Sequence, residues 1–156
     1  MEKFSNNRKE YWNQVKKELK GSIQSDDFRF QYVEIGQLLT HGFSVTLTKK
    51  NPQELDLKIW DAEYDNTRYD KGIFNLNRIA ITEKKVELNS RELDTIKRLL
   101  NSSLELNNSD GIVLDGLFCQ FEIKDIKLNW NANEEINKNL NELVKFLRNK
   151  SALNFT

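Results

Sequence analysis

The chain has 156 residues, 24 acidic and 24 basic side chains, and enough apolar residues (38%, among them nine Phe and three Trp) to form a core. This length is typical of one domain, and we expect a single domain over residues 1–156. Because the net charge is zero, the basic excess of most nucleic-acid-binding proteins is missing, and we expect no nucleic acid as a partner.

The cysteine content and the apolar runs indicate the cellular compartment. Cys119 is the only cysteine, which excludes an internal disulfide and fits a reducing environment. The N-terminal segment lacks the apolar stretch of a signal peptide, and no apolar run approaches the roughly 20 residues that cross a membrane. We therefore predict a cytoplasmic protein that makes no membrane contact.

Residues 5–20 have the spacing of an amphipathic helix. Ser5 can cap its first turn and Gly21 can end it. Its basic face could dock on a membrane or an acidic partner, but Glu10 and Glu18 interrupt that face. We interpret it as a surface helix whose aromatic stripe packs on a sheet, and the residues of that stripe are Tyr11, Trp12, Val15 and Leu19.

Three stretches with alternating apolar residues follow, at 28–32, 43–48 and 55–59, and they predict an antiparallel meander. In the second stretch, we expect one set of side chains to point inward and the other outward. The inward set is Phe43, Val45 and Leu47, and the outward set is Ser44, Thr46 and Thr48.

Residues 61–72 are acidic and have neither a strand period nor a helix period, so a loop is predicted there. Strand composition returns at 73–82 and 85–88, and the irregular apolar spacing predicts a bulge near Asn77. Asn89 and Glu92 then form a capping box, which opens a helix with Leu93, Ile96, Leu99 and Leu100 on one stripe. A polar loop is expected at 101–110.

The most apolar stretch, 111–130, predicts three strands. Residues 112–114 lead into Asp115-Gly116, a dipeptide typical of two-residue hairpins. Leu117, Cys119, Phe121 and Ile123 then share one face, and Ile126, Leu128 and Trp130 continue on the next strand.

A second capping box at 131–134 predicts a final helix, with Ile136, Leu140, Leu143, Val144 and Leu147 on one stripe and an end near Asn149. Residues 150–156 are expected to be a frayed tail. Runs of strands separated by single helices indicate an α+β fold. We expect a mostly antiparallel sheet of about six to eight strands, with an N-terminal, a middle and a C-terminal helix packed on it.

The sequence contains no catalytic or phosphate-binding motif. Cys119 and His41 could formally pair as nucleophile and base, but Cys119 falls at an inward strand position and His41 in a turn. We interpret the first as a core residue and the second as a solvated loop residue. With one His and one Cys, a zinc site would need carboxylates for most of its ligands, so no metal or other cofactor is expected.

The acidic stretch is the best candidate for a functional site. Its alternating acidic positions resemble a calcium loop, but Gly72 stands where such a loop needs a bidentate Glu. Paired carboxylates for acid–base catalysis and a simply hydrated loop are further interpretations. Tyrosines interleaved with acidic residues also favour contact with a basic protein. The predicted partner-binding residues are Trp60, Asp61, Glu63, Tyr64, Asp65, Tyr69 and Asp70.

The last third of the chain resembles small uncharacterised bacterial α+β proteins, some of them predicted as immunity proteins of toxin systems. The matching features are the helix at 93–100, the strand at 112–114, the Asp115-Gly116 turn, the strand at 118–123, Trp130 and the helix at 136–147. Those proteins often place an aromatic residue after the Trp, where this chain has Asn131. The resemblance implies an immunity-type inhibitor and transfers no site residue.

The leading hypothesis is therefore a non-enzymatic protein that binds another macromolecule. Two alternatives remain open. One is a small-ligand-binding or enzymatic domain, which needs convergent polar groups in a pocket between sheet and helices. The other is a structural subunit that self-associates through its N-terminal helix or a sheet edge.

Overall fold

The computed structural model describes residues 2–36, 39–73, 78–105, 118–123, 126–131 and 136–155. These ranges contain four α-helices and six strands, in the order α1 (Glu2–Lys20), β1 (Phe28–Ile35), β2 (Gly42–Thr48), β3 (Glu54–Trp60), α2 (Ala62–Asp70), β4 (Ile81–Glu87), α3 (Ser90–Leu100), β5 (Phe118–Ile123), β6 (Ile126–Trp130) and α4 (Lys138–Phe155). All neighbouring strands pair antiparallel, in the order β4-β3-β2-β1-β5-β6. The predicted α+β class is confirmed.

One face of the sheet carries the larger core. Strand alternation places Phe30, Tyr32, Val45, Leu57 and Phe121 on this face, because they are cross-strand partners or second neighbours along a strand. Apolar side chains of α3 and α4 complete the cluster. The regular alternation in β1, β2 and β3 therefore reports a real buried face.

The opposite face is covered by α1. Tyr11, Val15 and Leu19 of this helix pack with Val33 and Trp60 of the sheet. The aromatic stripe of α1 is apolar because it packs against the sheet. The predicted packing of the N-terminal helix on the sheet is therefore confirmed.

The prediction that Ser44, Thr46 and Thr48 point to solvent is wrong, because all three are buried. The Ser44 hydroxyl donates to the carbonyl oxygen of Leu19 at 2.6 Å, and Thr46 Oγ1 accepts from Gln31 Nε2 at 3.0 Å. Short hydroxyl side chains fit beneath a helix and satisfy their hydrogen bonds inside the protein, so a polar strand face does not establish exposure.

The predicted helix ends are right where a local signal dominates. Helix α1 ends at Lys20, and Gly21 has a φ of +72°, the left-handed conformation of a C-terminal cap. The capping box of Asn89 and Glu92 at the start of α3 is confirmed in both directions. Helix α1 begins at Glu2, three residues before the predicted Ser5 cap.

The predicted bounds of the last helix are wrong at both ends. Helix α4 starts at Lys138, where Asn137 Oδ1 accepts the amide of Leu140 at 3.0 Å, so the cap is Asn137 and not Asn131. Ile136 precedes the helix. At the other end the helix continues to Phe155, past the predicted Asn149, because Ser151 packs inside the fold and no Gly or Pro interrupts the chain.

The region around β4 also differs from the prediction. Residues 81–87 form one continuous strand, whereas 78–80 lack regular structure and Ile73 lies exposed after α2. The predicted bulge near Asn77, the strand at 112–114, the Asp115-Gly116 turn and Leu117 lie outside the described residues. In the described part of the chain, no helix has the length and apolar character to cross a membrane.

Candidate functional site

The acidic stretch at 61–72 forms a helix, so the predicted loop is wrong. Helix α2 spans Ala62–Asp70, and the Asp61 side chain caps it by accepting the amide of Tyr64 at 3.1 Å. The buried residues of this helix are Ala62 and Asp65. The sequence shows no apolar period here because the buried side of the helix is a carboxylate and a methyl group.

Asp65 attaches α2 to the sheet. Its side chain is fully buried, and Oδ2 accepts Trp60 Nε1–H and the backbone amide of Ala80, each at 2.8 Å. Trp60 ends β3 and Ala80 directly precedes β4. One carboxylate oxygen therefore connects two neighbouring strand ends to the helix, and Asp65 does not reach the surface.

A second set of contacts fixes α2 against α1. The Tyr11 hydroxyl donates to Asn66 Oδ1 at 2.7 Å, and Asn66 Nδ2 donates to the carbonyl oxygen of Leu39 at 2.9 Å. The rings of Tyr11 and Tyr69 stack with their centroids 5.0 Å apart. Burial, followed by the charge of Asp65, raises the pKa of Tyr11, so its hydroxyl stays protonated and can donate.

The other side of α2 faces solvent. Four residues on this side are exposed, namely Asp61, Glu63, Tyr64 and Asp70, and Tyr64 is 53% exposed. The Arg68 guanidinium lies 5.2 Å from the centre of the Tyr64 ring, a cation–π contact that holds the ring. A shallow depression follows this side of the helix, lined by Asp61, Glu63, Tyr64, Thr67, Arg68 and Lys71.

The seven predicted partner-binding residues therefore lie on one segment but divide into two groups. Trp60, Asp65 and Tyr69 hold the helix in place. The surface group consists of Asp61, Glu63, Tyr64 and Asp70, which we call the α2 surface. The acidic positions do not converge as calcium ligands, since Asp65 is buried and Glu63 is exposed, and the described residues contain no group of three or more potential metal ligands.

A second polar cluster, which no sequence motif indicates, lies where β1, β5 and α4 meet. Glu34 Oε1 accepts the Tyr32 hydroxyl at 2.7 Å and Arg148 Nε at 2.6 Å, while His41 Nε2 lies 3.0 Å from Oε2. Only 6% of the Glu34 side chain is exposed. The sequence gives one indication that Glu34 is buried, because Glu34 continues the inward-facing alternation of Phe30 and Tyr32.

The electrostatics of this cluster indicate a closed network. Burial alone would raise the pKa of Glu34, but hydrogen bonds from His41, Tyr32 and Arg148 hold it below its ordinary value. Cys119 faces Glu34 across the β1–β5 pair, and burial raises its pKa to about 11. The prediction that Cys119 is a core residue is confirmed. His41 contacts the Glu34 carboxylate through Nε2.

This chain matches no protein-family model, no curated protein and no solved structure. Its function must therefore be inferred from the α2 surface and from the second polar cluster, which we call the Glu34 cluster and which consists of Tyr32, Glu34, His41, Cys119 and Arg148.

Proposed function

We propose that this protein binds another protein through the α2 surface and acts as an immunity-type inhibitor of a toxin. The observation that carries the proposal is the position of exposed apolar side chains. The described residues contain three large hydrophobic side chains that are exposed, and two of them, Tyr64 and Ile73, lie on α2 or directly after it. Exposed aromatic and aliphatic groups that cluster on one segment are typical of protein contacts.

The attachment of α2 supports this proposal. The bonds of Asp65 and Asn66 and the stacking of Tyr69 hold the helix on both sides. A helix that is ordered before binding loses little conformational entropy when a partner docks, which increases affinity. Helix α2 is short and mostly polar, and buried polar groups hold it in position.

The charges of the α2 surface favour a basic partner. Asp61, Glu63 and Asp70 contribute three exposed carboxylates, whereas the neighbouring cations are Arg68 and Lys71. Excess negative charge around an aromatic side chain speeds encounter with a basic surface and opposes an acidic one.

The Glu34 cluster favours a structural role over catalysis. Its carboxylate is occupied by three donors, and the raised pKa of Cys119 keeps the thiol protonated at neutral pH. A thiolate nucleophile or an unoccupied carboxylate base would be needed for the enzymatic alternative. We therefore assign the cluster to the attachment of α4 to β1.

Site-specific photocrosslinking in the producing cells tests the contact. A benzoylphenylalanine at position 64 should crosslink one protein, whereas the same residue at the exposed Thr82 of β4 should not. With the isolated partner, Tyr64→Ala should weaken the Kd on the order of 30-fold, as removal of a central aromatic anchor does. The matched control Thr82→Ala should leave the Kd unchanged.

The inhibitor assignment has its own test. If the crosslinked partner is the product of a neighbouring gene and is toxic when expressed alone, the wild-type protein should restore growth and Tyr64→Ala should not. Equal crosslinking at positions 64 and 82 would show that the α2 surface is not the contact. A partner without toxicity would leave the binding proposal intact and remove the inhibitor assignment.

A further inference from the structure

A strip of basic and aromatic residues lies on the other side of α1 from α2. Trp12, Lys16 and Lys20 are four residues apart along α1 and so form one row. The Trp12 ring meets the Phe118 ring edge-on with centroids 5.2 Å apart, and Lys20 Nζ lies 3.2 Å from Glu122 Oε1. The row of helix residues therefore runs alongside β5.

These contacts locate the centre of the strip. Gln120 lies midway between Phe118 and Glu122 on the same face of β5. Lys16 lies midway between the two helix residues that contact Phe118 and Glu122, so it stands alongside Gln120. Strand β6 adds Lys127, which is the cross-strand partner of Glu122. We call the set Trp12, Lys16, Lys20, Phe118, Gln120 and Lys127 the basic strip.

The basic strip holds more positive charge than its own carboxylate neutralises. Lys20 and Lys127 both contact the same oxygen, Glu122 Oε1, at 3.2 and 3.4 Å. Lys16 Nζ lies over the Phe118 ring, 4.8 Å from its centre. Burial, followed by the charges of Lys20 and Lys127, lowers the pKa of Lys16. Among the described residues, three ammonium groups around one carboxylate leave two positive charges for an external anion.

Gln120 provides an independent indication of a ligand. It is 3% exposed, and its Nε2 donates to Asn129 Oδ1 at 2.7 Å. Within the described part of the chain, its Oε1 accepts no hydrogen bond. Buried carbonyl oxygens are nearly always paired in folded proteins, so this oxygen would accept an N–H donor once the side chains that cover it move aside.

We propose that the basic strip binds an acidic segment of a protein, with its carboxylates on Lys16, Lys20 and Lys127 and an N–H group on Gln120 Oε1. A polypeptide supplies both the negative charge and the amide donor. A single-stranded nucleic acid would need open ring faces for base stacking, and Lys16 lies over the rings of both Trp12 and Phe118. The proposal is independent of the α2 surface.

Fluorescence anisotropy with labelled poly-L-glutamate at constant ionic strength tests this proposal. The wild-type protein should bind saturably, and the triple variant Lys16→Gln, Lys20→Gln, Lys127→Gln should bind on the order of tenfold more weakly. A control triple variant has the same net charge but changes exposed lysines elsewhere, at Lys49, Lys50 and Lys85, and should bind like the wild type.

Two further measurements make the result specific. The side-chain amide resonance of Gln120 should shift when poly-L-glutamate is added, and the single variant Lys16→Gln should bind more weakly even if the triple variant does not fold. Tyr64→Ala should bind poly-L-glutamate normally, which separates this proposal from the α2 surface. Equal losses in both triple variants, no saturable binding by the wild type, or tighter binding of oligo-dT through the same lysines would overturn the proposal.

Discussion

Replacing Asp65 with alanine separates the two groups of residues on the acidic segment. Asp65 is fully buried and accepts Trp60 Nε1–H and the Ala80 amide, each at 2.8 Å. Alanine removes the acceptor and leaves both donors without a partner. Because α2 buries little apolar surface, we expect this substitution to release the helix from the ends of β3 and β4 and to lower the free energy of unfolding.

The magnitude follows from the two bonds. A hydrogen bond to a charged group contributes about 1.5–3 kcal/mol, and an unsatisfied buried donor costs about 1–3 kcal/mol. The two ranges are alternative estimates of the same loss and are not added, so losing two bonds lowers the free energy of unfolding by about 3–6 kcal/mol. At about 2–4 °C per kcal/mol for a chain of this size, the Tm should fall on the order of 10 °C.

Urea unfolding followed by tryptophan fluorescence measures the effect, because Trp60 itself reports on the lost bond. The matched control is the double variant Asp61→Asn, Asp70→Asn, which removes two exposed charges from the same helix. Asparagine caps a helix as well as aspartate does, so the control should change stability by less than about 0.5 kcal/mol. An Asp65→Ala variant as stable as this control would refute the anchoring role of Asp65.

Two further predictions concern the Glu34 cluster. Folding lowers the pKa of Glu34, so its contribution to stability is complete above the ordinary carboxyl pKa of 4.5 and is lost as the pH falls below that value. The urea midpoint should therefore decline less steeply below about pH 5 in Glu34→Gln than in the wild type. Burial raises the pKa of Cys119 to about 11, so a thiol reagent at pH 8 should react with it only on unfolding, and rapid reaction of the native protein would contradict the burial of this cluster.

The parts of the fold that were predictable are those where apolar spacing reports burial on one side of an element. Val45 and Leu47 alternate in β2, and Tyr11 and Val15 recur in α1, because each set faces a core. The cap at Asn89 was predictable for a different reason, since a capping box depends on contacts within four residues. Neither signal requires knowledge of the tertiary structure.

Helix α2 and the partners of Glu34 were not predictable in this way. The buried side of α2 contains Asp65, whose partners Trp60 and Ala80 lie outside the helix. Glu34 likewise depends on Arg148, which is distant in the sequence. A polar residue is buried only when such partners are supplied by other elements, so a pattern that counts apolar positions assigns it to solvent.

The zero net charge of the sequence also conceals a separation of charge that depends on the fold. Adjacent residues of α1 face opposite neighbours, since Tyr11 stacks on Tyr69 of α2 and Trp12 meets Phe118 of β5. Helix α1 thereby stands between an acidic surface and a basic strip. At physiological ionic strength, salt screens charges that are more than about 8 Å apart, so a partner responds to the charge of the nearest surface and not to the net charge of the protein. Equal numbers of acidic and basic residues therefore exclude a protein whose whole surface has one sign of charge. They are compatible with two separate surfaces of opposite charge, each of which selects a partner of the other sign.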